Sequence, residues 1–284
     1  MNQKEQGRMP GTTSRTLVIR PPRGWVPINL RALWAYRELL YSLTWREVTV
    51  RYKQTALGFG WAIIQPFFMM IVFTLFFGNL AKVPSGGIPY PLFSYAALLP
   101  WTLFAEGISR ASMSLVQDAN LVQKVYFPRL VMPLSGILSP LVDFAIAFTI
   151  LIGMMVFYGY PPTLNLIWLP AFILLAMATA LGVGLWLSAI NIKYRDVRYV
   201  LPFLIQLWLF ASPVVYPSSL LPPRFQAVYG LNPMAGVIEG FRWALLGTAP
   251  PGSLIGVSII MVIAILISGA FYFRRCEKAF ADVV

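Results

Sequence analysis

Residues 252–273 read GSLIGVSIIMVIAILISGAFYF and contain no charged side chain. A helix needs about 20 mostly apolar residues to cross the hydrocarbon core of a bilayer, and this stretch meets that length. Five more stretches are also apolar and free of Lys and Arg in their middle: 57–80, 90–109, 131–158, 166–190 and 199–216. The sequence therefore predicts an all-α membrane protein with six transmembrane helices.

The composition of the whole 284-residue chain agrees with this prediction. Hydrophobic residues make up 58% and charged residues 11%, whereas a soluble domain carries about 25% charged residues. This balance argues against a water-soluble globule and against disorder. The net charge is +12, which in a soluble protein would point to nucleic acid, but in a membrane protein it reflects where Lys and Arg lie. We therefore expect no nucleic acid partner.

The distribution of Lys and Arg predicts the orientation. Alternate segments between the spans hold 19 and 3 of these residues, with the larger share on the side of both termini. Cytoplasmic loops carry the excess of basic residues, so both termini are predicted to lie in the cytoplasm. The N-terminal segment shows no short apolar region of the kind found in a cleavable signal peptide. The first span is therefore expected to direct insertion.

Residues 1–29 are predicted to form a cytoplasmic arm, and residues 30–54 an amphipathic helix. On a helical wheel, six residues lie close to one line along the helix: Leu30, Trp34, Tyr41, Trp45, Val48 and Tyr52. Arg46, Glu47 and Lys53 lie away from that line, while Arg37 intrudes on it. Aromatic residues at headgroup depth beside basic residues are typical of a helix in the membrane interface, in contact with anionic lipid. A helix packed on a soluble partner is the alternative.

Two connections between spans carry further signals. In 110–130, Asp118 or Asn120 is placed to cap a short helix that ends near Tyr126. Such a helix could dock another protein, but spacing alone favours a simple connecting loop. The outer connection 217–251 is rich in apolar residues, and Asn232-Pro233 is typical of a helix start. Glu239 and Arg242 can pair three residues apart. This region is predicted to form re-entrant helices that close an outer mouth.

Asp143 is the clearest ionisable residue inside a predicted span. Such residues face the bundle interior or a water-filled path. Since no second buried charge is evident to receive a proton, a structural role is favoured over a proton relay.

Motifs for chemistry are missing from the sequence. There is no Gly-Lys dipeptide and hence no nucleotide-binding P-loop, no HExxH, no CxxC and no GxSxG, and His is absent altogether. Catalysis is not supported, and neither a catalytic residue nor a metal ligand is assigned. A pump would therefore need a separate ATPase or an ion gradient.

Several segments in the same order resemble the type-2 ABC exporter permeases. They are LTWREVTVRYKQTALGFGWAIIQP (43–66), NLVQKVYFPRLVMPL (120–134), NIKYRDVRYVLPFLIQ (191–206), SPVVYP (212–217), LNPM (231–234) and EKAFADVV (277–284). The resemblance covers about 30–284 and is strongest to the polysaccharide-exporting branch. Within that branch, which handles O-antigen, capsule and teichoic acid, the O-antigen type fits best.

The resemblance implies a bacterial inner-membrane protein that forms a homodimer. Residues 57–276 would be the transmembrane domain and 277–284 a cytoplasmic tail. The chain would pair with a nucleotide-binding subunit that holds ATP and Mg²⁺, and would itself carry no cofactor. The cargo would be a lipid-linked polysaccharide, moved along a path lined by the first, second and fifth spans. The re-entrant region would gate the outer side.

The resemblance also implies roles for named residues. An ATPase-coupling helix would involve Asp118, Asn120, Leu121, Lys124, Phe127, Pro128 and Arg129. A second inner loop would contain Arg195 and Asp196, and the interface helix would present Trp45, Arg46, Arg51, Tyr52 and Lys53. The outer gate would use Asn232, Pro233, Glu239 and Arg242.

Aromatic and amide side chains are expected to line the path, because sugars stack on aromatic rings and need hydrogen-bond partners for their hydroxyls. The candidates are Trp61, Phe68, Tyr95, Trp101, Phe203, Gln206, Phe210 and Tyr216. Lipid-facing positions are the alternative for this group. Alternative functions are an exporter of drugs or small lipids, a membrane-embedded glycan-handling enzyme, and a proton-coupled carrier centred on Asp143.

Overall fold

The structure is a computed structural model that describes residues 30–53, 58–194 and 196–277, and all regular elements in these ranges are helical. In chain order, the α-helices are α1 (Leu30–Ala35), α2 (Arg37–Lys53), α3 (Gly60–Phe73), α4 (Tyr90–Gln117), α5 (Ala119–Lys124), α6 (Val131–Leu138), α7 (Pro140–Tyr158), α8 (Leu169–Lys193), α9 (Val197–Ala211), α10 (Pro223–Tyr229), α11 (Pro233–Leu246) and α12 (Gly252–Cys276). A π-helical turn, Thr74–Leu80, extends α3. Two 3₁₀ turns, Leu164–Trp168 and Ser218–Leu220, precede α8 and α10. The predicted arm 1–29 and the tail from 278 onward lie outside the described residues, as does Arg195.

Helix α4 forms the centre of the bundle, packed between α8 on one side and α6, α7 and α11 on others. Most of its 28 residues are buried. Small residues allow its neighbours to approach closely: a Cβ atom at Gly136 of α6 would lie 2.9 Å from the backbone nitrogen of Ala111. Backbone approach through small residues is how membrane helices gain packing contacts without a hydrophobic driving force.

Four helical segments are long and apolar enough to cross a membrane: Gly60–Leu80, Val131–Tyr158, Leu164–Lys193 and Gly252–Cys276. They coincide with the predicted first, third, fourth and sixth spans. The predicted second span corresponds to α4, which continues beyond residue 109 through Arg110 to Gln117. The predicted fifth span corresponds to α9, which has only 15 residues. Six crossings therefore stay a prediction, with four supported by length and composition.

The predicted interface helix is two helices, since α1 and α2 are separated at Tyr36. Trp34, Tyr41 and Trp45 are exposed, whereas Val48, which the helical wheel placed on the same line, is buried with Leu43. Helix α2 packs on α6, and Val48 is buried inside the protein and not on the exposed aromatic face. Contact of the aromatic face with lipid stays a prediction.

The outer connection 217–251 contains the two short helices α10 and α11. Helix α11 is almost completely buried against α4, α8 and α12. Its first turn is capped as predicted, because the side-chain oxygen of Asn232 accepts a hydrogen bond from the backbone nitrogen of Met234 at 3.1 Å. How deep these helices sit in a bilayer is not tested by the fold.

Candidate functional site

A cavity of about 740 Å³ lies between α2, α3, α4, α7 and α9. Its lining combines charged, amide and aromatic side chains with apolar ones. The polar and aromatic lining residues are Arg51, Tyr52, Trp61, Gln65, Trp101, Thr102, Glu106, Ser109, Arg110, Asp143, Phe144, Gln206 and Phe210. Because three of the five helices match the spans expected to line a path, this cavity is the best candidate for a functional site.

The charged residues of the cavity form one connected cluster. The guanidinium of Arg51, on α2, pairs with the carboxylate of Asp143, on α7. Arg51 also lies 3.8 Å from Oε2 of Glu106, on α4, and Arg110 reaches the same oxygen at 3.2 Å. We refer to Arg51, Glu106, Arg110 and Asp143 as the charge cluster. It ties helix α2, which lies outside the predicted spans, to two helices of the bundle.

Asp143 thus has a charged partner, contrary to the expectation that no second buried charge was available. The partner was missed because Arg51 belongs to a helix outside the predicted spans, far away in sequence. An Asp–Arg pair supports the favoured structural role of Asp143, since an isolated carboxylate in such a place would be costly.

The cavity also contains the two kinds of side chain that sugars need. Trp61 and Trp101 provide indole rings, and Gln206 provides an amide, next to the partly exposed ring of Phe210. Along α4, Trp101 and Arg110 are separated by about 13 Å at 1.5 Å per residue. The cavity is therefore long enough for charged and aromatic parts to contact different portions of one ligand.

The other four predicted lining residues lie outside the cavity. Phe68 and Phe203 are exposed on the surface of the chain. Tyr95 is fully buried and donates a hydrogen bond to the carbonyl of Ala147 at 3.2 Å. Tyr216 donates to the carbonyl of Phe210 at 3.1 Å. Conversely, Gln65, Thr102, Glu106, Ser109 and Arg110 line the cavity without having been predicted; the i, i+4 spacing of Glu106 and Arg110 was the available signal.

The four residues predicted for the outer gate lie on α11 or just before it. Asn232, Glu239 and Arg242 contact α9 and the segment after it, and we call these contacts the outer cluster, after the gate they were predicted to form. Pro233 opens α11 after the Asn232 cap, and the indole nitrogen of Trp208 donates to Asn232 at 2.9 Å. Arg242 is fully buried and pairs with Glu239 at 3.4 Å. Glu239 in turn accepts a hydrogen bond from the backbone nitrogen of Ser218 at 2.8 Å. These contacts join α11 to the segment that follows α9.

The comparisons with known proteins point to one family. Residues 38–246 match the ABC-2 type transporter family. The chain belongs to the ABC-2 type transporter family. The match runs from the start of α2 to the end of α11 and so includes both clusters.

Several curated relatives of this ABC-2 chain are named for O-antigen export or polysialic acid transport. An O-antigen export system permease protein of Myxococcus xanthus is 31% identical over 88% of this chain and 97% of its own length. An O-antigen export system permease protein of Klebsiella pneumoniae is 26% identical, covering 87% and 95%. A polysialic acid transport protein of Escherichia coli is 24% identical, covering 84% and 93%. This ABC-2 chain is therefore similar over nearly its whole length to permease subunits.

The residues predicted for ATPase coupling lie in and after α5, a helix of six residues. Asp118 precedes α5, but its side chain pairs with Arg46 and makes no capping hydrogen bond. Phe127 is buried, and Arg129 donates to the backbone carbonyl of Glu277. Among the large hydrophobic side chains here, Tyr126 is the most exposed, at 86%. Asp196, of the predicted second inner loop, precedes α9.

Proposed function

We propose that this ABC-2 chain is the membrane subunit of an ATP-driven exporter that moves a lipid-linked, O-antigen-like polysaccharide out of the cytoplasm. The observation that carries the proposal is the similarity to O-antigen export permeases over 88% of the chain. The cavity supports it, since indole and amide side chains suit a carbohydrate.

The proposal includes a separate nucleotide-binding subunit that holds ATP and Mg²⁺. The sequence has no P-loop of its own, so in this proposal ATP is hydrolysed by the partner. Tyr126, with Val125 at 49% exposure, offers an aromatic surface next to α5 for this contact. Phe127 is a poor test of docking because it packs in the core with Leu115 and Val131.

The proposal also includes a second copy of the chain. Exposed aromatic and aliphatic side chains lie on α3 and α9, the helices that flank the cavity. They are Phe67, Phe68, Val72, Phe203, Leu204 and Leu207. A second copy packed against this surface would extend the cavity walls into a path across an inner membrane, with both termini on the cytoplasmic side.

The decisive experiment is export by the intact cell. Deleting the gene should remove the polysaccharide from the cell surface, and the wild-type gene should restore it, as measured by immunoblot of surface glycan. Tyr126→Ala should fail to restore it at normal membrane levels. Phe157→Ala, which removes an aromatic ring of 83% exposure at the far end of α7, is the matched control and should restore it.

A pull-down from native membranes completes the test. The wild-type chain should co-purify with a subunit that hydrolyses ATP, and Tyr126→Ala should recover less of it. Unchanged surface glycan in the deletion strain would overturn the polysaccharide assignment. Altered drug sensitivity in that strain would instead favour an exporter of small molecules.

A further inference from the structure

The charge cluster has the geometry of an anion-binding site that is filled by the protein's own carboxylates. Terminal nitrogens of Arg51 and Arg110 converge on one oxygen, Oε2 of Glu106, at 3.8 and 3.2 Å. The two arginines come from different helices, α2 and α4, so the point where they meet is fixed by the packing of both helices on α6. Guanidinium groups bind phosphate through charge-assisted, often bidentate hydrogen bonds, as they bind carboxylates.

The carboxylate of Glu106 is placed where a ligand anion could replace it. The side chain of Glu106 is 42% exposed, whereas those of Arg51 and Arg110 are 24% and 27% exposed. Glu106 can therefore turn away into the cavity while the two arginines stay in place. Nε of Arg110 is buried and has no hydrogen-bond partner among the described residues. This arginine can therefore donate one more hydrogen bond.

The neighbouring surface indicates what the anion would be attached to. The cavity that contains the charge cluster also holds Trp61, Trp101 and Gln206, which suit sugar rings. An anion held between Arg51 and Arg110 would thus lie in the same cavity as a glycan. A phosphate group that joins a sugar to a lipid fits both parts.

We propose that Arg51 and Arg110 bind the phosphate group of a lipid-linked cargo, which takes the place of the carboxylate of Glu106. This inference rests on the proposed function and names the chemistry by which the same site recognises its cargo. Arg51 is shared between this site and Asp143, so a bound phosphate competes with Asp143 and loosens the attachment of α2 to α7.

Equilibrium binding to the full-length chain, with any co-purified subunit, in phosphatidylcholine nanodiscs tests the proposal. Three radiolabelled probes separate the parts of the ligand: farnesyl phosphate, farnesol and inorganic pyrophosphate. Farnesyl phosphate should bind about tenfold more tightly than either of the others, which corresponds to one charge-assisted contact. Equal binding of farnesol would overturn the phosphate assignment. Equal binding of pyrophosphate would show that the site takes free phosphate and not a lipid.

Substitutions with opposite expected signs make the test specific. Arg110→Gln should reduce the affinity for farnesyl phosphate to that for farnesol. Glu106→Gln and Asp143→Asn each remove a competing carboxylate and should raise the affinity severalfold. Arg37→Gln is the matched control, because Arg37 lies on α2 in an exposed pair with Glu38 and outside the cavity.

A stability effect can be separated from a binding effect. Arg51→Gln leaves the Asp143 carboxylate without its cation, so the double variant Arg51→Gln/Asp143→Asn is used to keep the contact neutral. It should fold and bind farnesyl phosphate no better than farnesol. Wild-type affinity in Arg110→Gln and in the double variant would overturn the inference.

The two proposals fail in different ways. If the wild-type gene restores surface glycan but binding does not depend on phosphate, only the phosphate site is wrong. If deletion of the gene leaves the surface glycan intact, the polysaccharide export function is wrong whatever the binding data show.

Discussion

Arg242 is the residue on which the outer cluster depends. Its guanidinium donates to the carbonyl oxygens of Val214 at 2.7 Å and of Phe93 and Tyr216 at 3.4 Å, and it lies 3.5 Å from the centroid of the Phe93 ring. Removing one partner of a buried pair leaves the other charge uncompensated, which costs roughly 3–5 kcal/mol. Arg242→Ala should therefore lower the stability of the chain by about that amount, measured by denaturant unfolding in detergent.

The control for Arg242 is Arg275, an exposed arginine near the end of α12. Arg275→Ala should change stability by less than about 0.5 kcal/mol, as exposed positions do. The double variant Glu239→Gln/Arg242→Met should recover part of the loss, because it leaves no buried charge. A loss as large for Arg275→Ala as for Arg242→Ala would contradict the proposed importance of the cluster.

Glu47, on helix α2 outside the predicted spans, gives a pH-dependent prediction. Burial raises the pKa of the Glu47 carboxyl group, and hydrogen bonds from Ser139 and Ser135 oppose that shift. A raised pKa means that the folded chain disfavours the ionised form. The wild type should therefore gain stability as the pH falls through the pKa of Glu47 in the folded state.

Glu47→Gln has no such ionisation. Its melting temperature should exceed that of the wild type at pH 8, and the difference should disappear near pH 4. Glu38→Gln is the matched control, because the side chain of Glu38 is 91% exposed on the same helix. A difference between wild type and Glu47→Gln that stays constant with pH would show that desolvation of Glu47 is not the cause.

At the scale of the helices, α8 and α12 pack through glycine. A Cβ atom at Gly269 would lie 2.2 Å from the carbonyl oxygen of Gly182, and a backbone atom cannot yield as a side chain can. Gly269→Ala should destabilise the chain by roughly 1–3 kcal/mol through overpacking. Gly256→Ala, on the same helix, meets nothing within 4 Å and should be neutral or slightly stabilising. Thermal unfolding in detergent compares them, and equal losses would contradict close packing at Gly269.

Helices α4 and α9 show what the sequence could and could not predict. Runs of apolar residues located the helices well, since lipid-facing segments must be apolar. The run near 90–109 was too short because α4 continues past residue 109 through Arg110, which pairs with Glu106. Of the cavity, Trp61, Trp101, Gln206 and Phe210 were predicted from their chemistry. The Arg51–Asp143 pair was not, because only tertiary packing brings α2 to α7.

At the scale of the whole molecule, helix α4 links the two clusters. Helix α4 contacts both the charge cluster, through Glu106 and Arg110, and the outer cluster, through Phe93 and Arg242. One helix therefore connects the proposed cargo site with the predicted outer gate. Export through this path requires that the charge cluster face the cytoplasm. The orientation of the chain in the membrane therefore tests the arrangement.

The only cysteine, Cys276, allows that orientation to be measured. It is partly exposed at the end of α12, and the predicted topology places it in the cytoplasm. A membrane-impermeant maleimide should label it in inside-out vesicles and leave it unlabelled in right-side-out vesicles. Ala249, exposed just after α11, is predicted to lie outside. In Cys276→Ser/Ala249→Cys the pattern should reverse.

The two labelling patterns together test the number of crossings between α11 and the C-terminus. Helix α12 has 25 residues and is one of the four segments able to cross a membrane, so its two ends should face opposite sides. Opposite labelling with Cys276 inside supports both the topology and the cytoplasmic position of the charge cluster. Labelling of Cys276 from the outside would invert the chain, and the charge cluster would then face away from a cytoplasmic cargo.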